Sequence, residues 1–328
     1  LVAASLAGSV ALLAGAAPAA AYVRNLTAAS AEYYWETSCV HVSTYPQGLA
    51  DLTLDQINAA ALASAAAWSK QDPDLAPCTY LDLRMRVAAP TAGPPAAAND
   101  RINNVIFRDT SWCPAGATSG DDCYDSMALA LTAVTTVTKT GQIVDADIEV
   151  NAVNFLWADI GANPDAFGKH DLQNALTHEM GHFIGLEHTC YEPSSGRLRP
   201  TDHTGAPVPD CSTASQEVRD TTMYTQAATG DVTKRTLAPD EKLAVCEIYP
   251  LDRDPSTCPP PGSGGGDDGF CSIAPAGAGV AGSGWTAVLL AAAAAVARQR
   301  SRSSRRSRTE GSPGIDAAGT STARSRSR

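Results

Sequence analysis

"DLQNALTHEMGHFIGLEH" occupies residues 171–188 and holds three of the chain's six histidines. Asp171 stands where a helix N-cap belongs. Leu172, Ala175, Leu176 and Phe183 supply an apolar side, and Gly185 is a natural stop just past the last turn. The pattern predicts one helix between Asp171 and Gly185. On it His178 and His182 are four residues apart, on one face and one turn apart, so both rings reach a single ion. Glu179 projects beside them and need not be a ligand; H-E-x-x-H binds zinc and supplies a general base. Gly185 takes a positive φ without a steric penalty, which lets His188 swing back as a third ligand. Three protein ligands leave one position for water, the pattern of a catalytic zinc. A solvated polar helix would need neither Gly185 nor His188 where they stand.

Working outward, the flanking segments read as a mixed α+β domain from residue 22 to 251. "TLDQINAAALASAAAWSK" opens with Thr53 three residues before Gln56, a capping-box pattern, and Ile57, Ala61, Ala65 and Trp68 follow at helical spacing. "YLDLRMRV" alternates, with Leu81, Leu83, Met85 and Val87 on one face and Asp82, Arg84 and Arg86 on the other, a half-buried strand. "NNVIFRD" (103–109), "MALALTAVTTVT" (127–138) and "GQIVDADIEVN" (141–151) read as further strands. In the last, Ile148 and Val150 alternate with Asp147, Glu149 and Asn151. "LAPDEKLAVCEIYP" reads as a short closing helix with Asp240 and Glu241 in its first turn. The segment 88–100 is a Pro/Gly/Ala loop, and the Pro/Gly-rich stretch 252–269 is expected to be an unfolded linker.

The ends differ from this body. Residues 1–21, "LVAASLAGSVALLAGAAPAAA", are small and apolar and close in an Ala-x-Ala pattern, which reads as a secretory signal peptide. Residues 270–308 hold Cys271, a chargeless run from Ile273 to Ala297 and the cluster "RQRSRSSRRSR". That run is long enough to cross a bilayer as a helix, with the arginines left on the cytoplasmic side. Residues 309–328 are expected to be disordered. Nine arginines stand against Glu310 and Asp316 in 298–328, so the rest of the chain is more acidic than the overall −11. An acidic body argues against nucleic acid as a partner. The expected partners are peptides and, through the tail, a membrane; a monomer is expected.

Of nine cysteines, eight lie in the body and linker, and with an export signal they read as disulfides. Sequence proximity suggests Cys113–Cys123, Cys190–Cys211 and Cys246–Cys258, leaving Cys39–Cys78, although eight cysteines permit many connectivities.

His178, Glu179, His182, Gly185 and His188 together match H-E-x-x-H-x-x-G-x-x-H, and "DTTMYT" places Met223 downstream. In both features the chain resembles the metzincin metallopeptidases. "DLQNALTHEMGHFIGLEH", Met223–Tyr224, "GQIVDADIEVNAVNF" and the closing helix are similar to the matrixin family, bacterial branch. The resemblance covers roughly 34–250. It implies a twisted, mostly parallel sheet with an antiparallel edge strand, an active-site helix and a short C-terminal helix. It further implies peptide-bond hydrolysis with Zn2+ on His178, His182 and His188, Glu179 as general base, and Met223 in a turn beneath the metal. Tyr224 and Thr225 would wall the pocket past the scissile bond. Asp145, Asp147 and Glu149 resemble calcium-supporting acids of matrixins, and a solvated strand face explains them equally well. His41 and His170 are too few for a second, structural zinc. Cys271, the apolar span and the Arg cluster resemble tripartite bacterial C-terminal sorting signals of the myxobacterial type, implying the cell surface or the extracellular space. The alternative function is a zinc-holding surface binding module without turnover.

Overall fold

Segments with two-residue periodicity form one sheet, and the two longest segments with helical periodicity pack together beside it. The computed structural model describes residues 21–47, 49–87, 99–114, 117 and 123–260, and the backbone of 323–327. In chain order the elements are β1 (Val23–Arg24), β2 (Cys39–Tyr45), α1 (Leu54–Ala67), β3 (Asp82–Val87), β4 (Asn103–Arg108), β5 (Ala130–Thr136) and β6 (Ile143–Asn151). Then come β7 (Trp157–Ala158), β8 (His170–Asp171), α2 (Leu172–Phe183), β9 (Leu186–Glu187), α3 (Gln216–Arg219), α4 (Pro239–Ile248) and β10 (Ala323–Ser327). The signal-peptide segment 1–20, most of the 88–100 loop, linker residues 261–269, Cys271, the apolar span and the Arg cluster lie outside the described residues. Among the described residues no helix is long and apolar enough to cross a membrane.

The main sheet runs β10-β5-β6-β4-β2-β3. β3, β2, β4 and β6 are parallel neighbours, and β5 returns antiparallel beside β6. A mostly parallel five-stranded sheet with one antiparallel strand is thus what the segments assemble. The expectation that 309–328 is unfolded is corrected in part: Ala323–Ser327 pairs antiparallel with β5, from Ala323↔Val134 to Ser327↔Ala130. An edge strand presents a row of backbone donors and acceptors that accepts another extended segment.

α1 begins as its sequence suggests. The Gln56 N–H donates to Thr53 Oγ1 at 3.3 Å, and the Thr53 N–H to Gln56 Oε1 at 2.9 Å. Its small buried residues Ala60, Ala61, Ser64 and Ala65 let it approach α2 closely. There the Trp68 indole N–H donates to the Thr177 carbonyl at 2.6 Å and the Thr177 hydroxyl bonds Ser64 Oγ at 3.1 Å.

β6 departs from the half-solvated strand. It is flanked by β5 and β4, and Trp112, Tyr124, Ala128 and Leu131 form a separate buried cluster. Asp145, Asp147 and Glu149 are therefore buried, not solvated. Asp147 accepts the Asn104 backbone N–H at 2.9 Å, and Glu149 binds Arg108 Nε at 2.6 Å and the Tyr124 hydroxyl at 2.8 Å. Burial, aided by nearby Asp100, pushes the Asp145 carboxyl up to about 7. All three acids thus have protein partners, Asp145 through the backbone N–H groups of Arg101 and Ile102, and among the described residues these acids form no metal-binding cluster.

Cys113–Cys123 and Cys190–Cys211 are bonded as proximity suggests; the other two bridges are Cys39–Cys258 and Cys78–Cys246. The exchange has a topological cause. Backbone bonds from Tyr80 to the Tyr249 carbonyl and from Leu251 to the Cys78 carbonyl lay the end of α4 against the start of β3. The Ser38 N–H then holds the Thr257 carbonyl at 2.8 Å, which brings Cys258 to Cys39. Residues 252–260, expected to be linker, are therefore fastened to the body, beginning with a 3-10 turn at Leu251–Arg253. Non-reducing peptide mapping is expected to recover these four linkages. Cys78→Ser/Cys246→Ser should cost ~2–5 kcal/mol of stability in denaturant melts, the usual range for a native disulfide.

Candidate metal centre

α2 carries the centre because both of its ends are tied down. At the start, Asp171 accepts the Asn174 N–H at 2.8 Å and forms an ion pair with Arg235. At the end, the orphan carbonyls that every helix leaves are taken up: the Trp35 indole donates to Phe183 at 2.9 Å and the Tyr249 hydroxyl to Ile184 at 2.7 Å. Gly185 then turns the chain at φ +105°, and a Cβ there would stand 2.6 Å from the Tyr33 carbonyl oxygen. The turn leads into β9, which pairs antiparallel with β1, and then to His188.

The three predicted histidines meet. Their Nε2 atoms lie 3.3 Å (His178–His188), 3.2 Å (His178–His182) and 3.1 Å (His182–His188) apart, and all three residues are buried. The Nδ1 atoms fix the proton positions. His178 Nδ1 lies 2.7 Å from the Thr222 carbonyl and His182 Nδ1 2.8 Å from the Leu186 carbonyl. A carbonyl only accepts, so each Nδ1 carries the hydrogen and each Nε2 presents a bare lone pair. His188 Nδ1 lies 3.4 Å from Glu187 Oε1. Burial holds the His178 and His188 imidazoles well below the usual histidine range, and the charge of Lys234 adds to this for both.

A cation would reconcile lone pairs facing each other at these separations. Zinc–nitrogen bonds of ~2.0–2.1 Å at tetrahedral angles set the nitrogens about 3.3–3.4 Å apart. The observed triangle fits that size, so His178, His182 and His188 could hold a metal ion.

Glu179 is fully buried on the same helix. Its Oε2 accepts the Thr132 hydroxyl of β5 at 2.6 Å. Met223 lies beneath the helix where Gly181 leaves room: a Cβ on Gly181 would stand 2.2 Å from the Met223 sulfur. The Met223 N–H donates to Glu241 Oε1 at 2.8 Å, and its carbonyl accepts the Thr189 N–H at 3.2 Å. Tyr224 and Thr225 follow, both buried, with the Tyr224 hydroxyl on the Cys211 carbonyl at 3.2 Å. The Cys190–Cys211 bridge thus clamps the segment after His188 to the segment after Met223.

His170 stays away from the triad. It is half-buried against Phe155 and Trp157, not on the surface. Thr132, Thr222, Glu187 and Lys234 escaped the sequence reading. Thr132 and Lys234 come from distant elements, whereas Thr222 and Glu187 are the sequence neighbours of Met223 and His188, and none carries a local pattern that marks it.

Gly185→Ala is expected to cost at least ~1 kcal/mol, since it adds a Cβ at a positive φ against the Tyr33 carbonyl. It should also weaken metal retention by displacing His188. Thermal melts and metal content after dialysis check both effects.

No family model matches the chain, and no curated protein matches it.

Proposed function

We propose that this chain is a zinc-dependent endopeptidase of the metzincin type, similar in pattern to bacterial matrixins. The observation that carries the reading is the buried triangle of bare Nε2 atoms with the Glu179 carboxylate on the same helix. Met223 under Gly181 and the antiparallel β5 support the family reading.

A zinc ion on the three imidazoles would polarise a substrate carbonyl and make water acidic enough to attack it. The protein's own groups do the rest. Glu179 takes the attacking water's proton and delivers it to the leaving amine as the C–N bond breaks. Thr132 holds one carboxylate oxygen, which aims the other and keeps the general base from rotating. The carbonyls of Thr222 and Leu186 keep His178 and His182 in one tautomer.

An extended substrate would lie along β5, whose outer edge takes β10 in this structure. Substrate and tail would then compete. Four disulfides suit an oxidising compartment outside the cytoplasm. Export to the cell surface or the medium is part of the proposal.

Glu179→Gln should keep near one equivalent of zinc while peptide hydrolysis falls by ~10²–10⁴. His182→Ala should lose the metal itself. Elemental analysis and a fluorogenic peptide library read both, and a zinc-loaded wild type that cuts no peptide would favour a non-catalytic binding module. Deleting 321–328 should lower KM for extended peptides and leave kcat in place; an unchanged KM would show that the tail does not contest the β5 edge.

A further inference from the structure

Lys234 is one of the largest fully buried side chains of the protein. Its backbone N–H donates to Asn174 Oδ1 at 2.7 Å, which docks it beside the first turn of α2. Its Nζ reaches the Tyr224 carbonyl, and the ammonium lies 5.8 Å from the centre of the Tyr224 ring. The side chain therefore bridges α2 and the segment that follows Met223. In the endopeptidase reading these two segments would wall the space past the scissile bond.

A buried ammonium is costly unless its three N–H donors and its charge are answered. Here one carbonyl and one ring face answer them, and no ion pair involves Lys234 among the described residues. The acids that act on it from further off, Asp231, Glu179 and Glu241, are each committed elsewhere. Asp231 holds the Thr233 N–H and hydroxyl, Glu179 holds Thr132, and Glu241 holds the backbone N–H groups of Met223 and Ala238. Burial pulls the Lys234 amine down to about 8, which leaves it mostly charged at neutral pH.

We propose that Lys234 is a specificity residue that receives a carboxylate, so that the enzyme prefers Asp or Glu immediately after the scissile bond. The proposal rests on the endopeptidase reading and names the substrate class for it. The incoming carboxylate takes the N–H donors that the Tyr224 carbonyl does not use. The Nζ is closed over in the free protein, so Tyr224 must shift as the side chain enters. An amide or an alkyl side chain in the same place leaves the buried charge unanswered, and this supplies the discrimination.

The test uses full-length, zinc-loaded protein and three short peptide hydroxamates that differ only in the first side chain: Glu, Gln or Leu. The hydroxamate chelates the metal and delivers that side chain past the scissile position whether or not the protein turns over. Calorimetry should show the Glu compound binding at least ~10-fold more tightly than the Gln compound, the gain of a charge-assisted hydrogen bond. Lys234→Met keeps the stem length and removes the charge. In that variant the Glu preference should vanish and the Leu compound should gain. A purely structural lysine would weaken all three compounds together and leave their ratio unchanged, which overturns the proposal. Equal binding of Glu and Gln by the wild type overturns it as well. Failure of all three to bind overturns the zinc-peptidase reading, and this inference falls with it.

Discussion

Three imidazole Nε2 atoms face one another at 3.1–3.3 Å inside the protein, and in two of the rings, His178 and His182, a carbonyl on the far side fixes the proton on Nδ1. Mutually facing lone pairs in a low-dielectric interior repel, and a bound cation would reconcile them. Much of the surrounding structure serves that arrangement. Gly185 turns the chain so that His188 returns, Gly181 admits Met223 under the helix, and Asp171, Trp35 and Tyr249 hold the helix at both ends.

The centre is braced by segments far apart in the chain. β1 pairs with β9 between Gly185 and His188. The Cys190–Cys211 bridge and the Tyr224 hydroxyl tie the loop after His188 to the loop after Met223. Glu241 reaches from α4 to the Met223 N–H and the Ala238 N–H. Three histidines within eleven residues are thus braced by a strand pairing from the other end of the domain, Val23↔Glu187.

The sheet poses a second constraint. β5 stands between β6 and β10 and supplies Thr132 to Glu179. One strand thus holds the Glu179 carboxylate through a side chain and pairs its backbone with the extended segment Ala323–Ser327. In the proposed reading this would set the general base and a peptide-binding edge side by side.

The amino-acid sequence alone determined what local rules govern. The caps of α1 and α2, the glycine turn, the histidine spacing and the strands at 82–87, 103–108, 130–136 and 143–151 each follow from periodicity or a residue's backbone preference, and each stands where those rules put it. The short bridge Cys113–Cys123 belongs here too, because so short a loop costs little entropy to close. Tertiary structure decided whatever depends on which segments meet. Proximity misled at Cys246 and Cys258, since the end of α4 and the chain after it dock against the starts of β3 and β2. The acids of β6 are buried because a second layer covers the strand, and alternation reports only one face. Thr132 and Lys234 reach the centre through long-range packing, and neither sits in a pattern that spacing could reveal. Local steric and hydrogen-bonding preferences act over a few residues, whereas the surroundings of a side chain are set by the packing of the whole sheet and both helices.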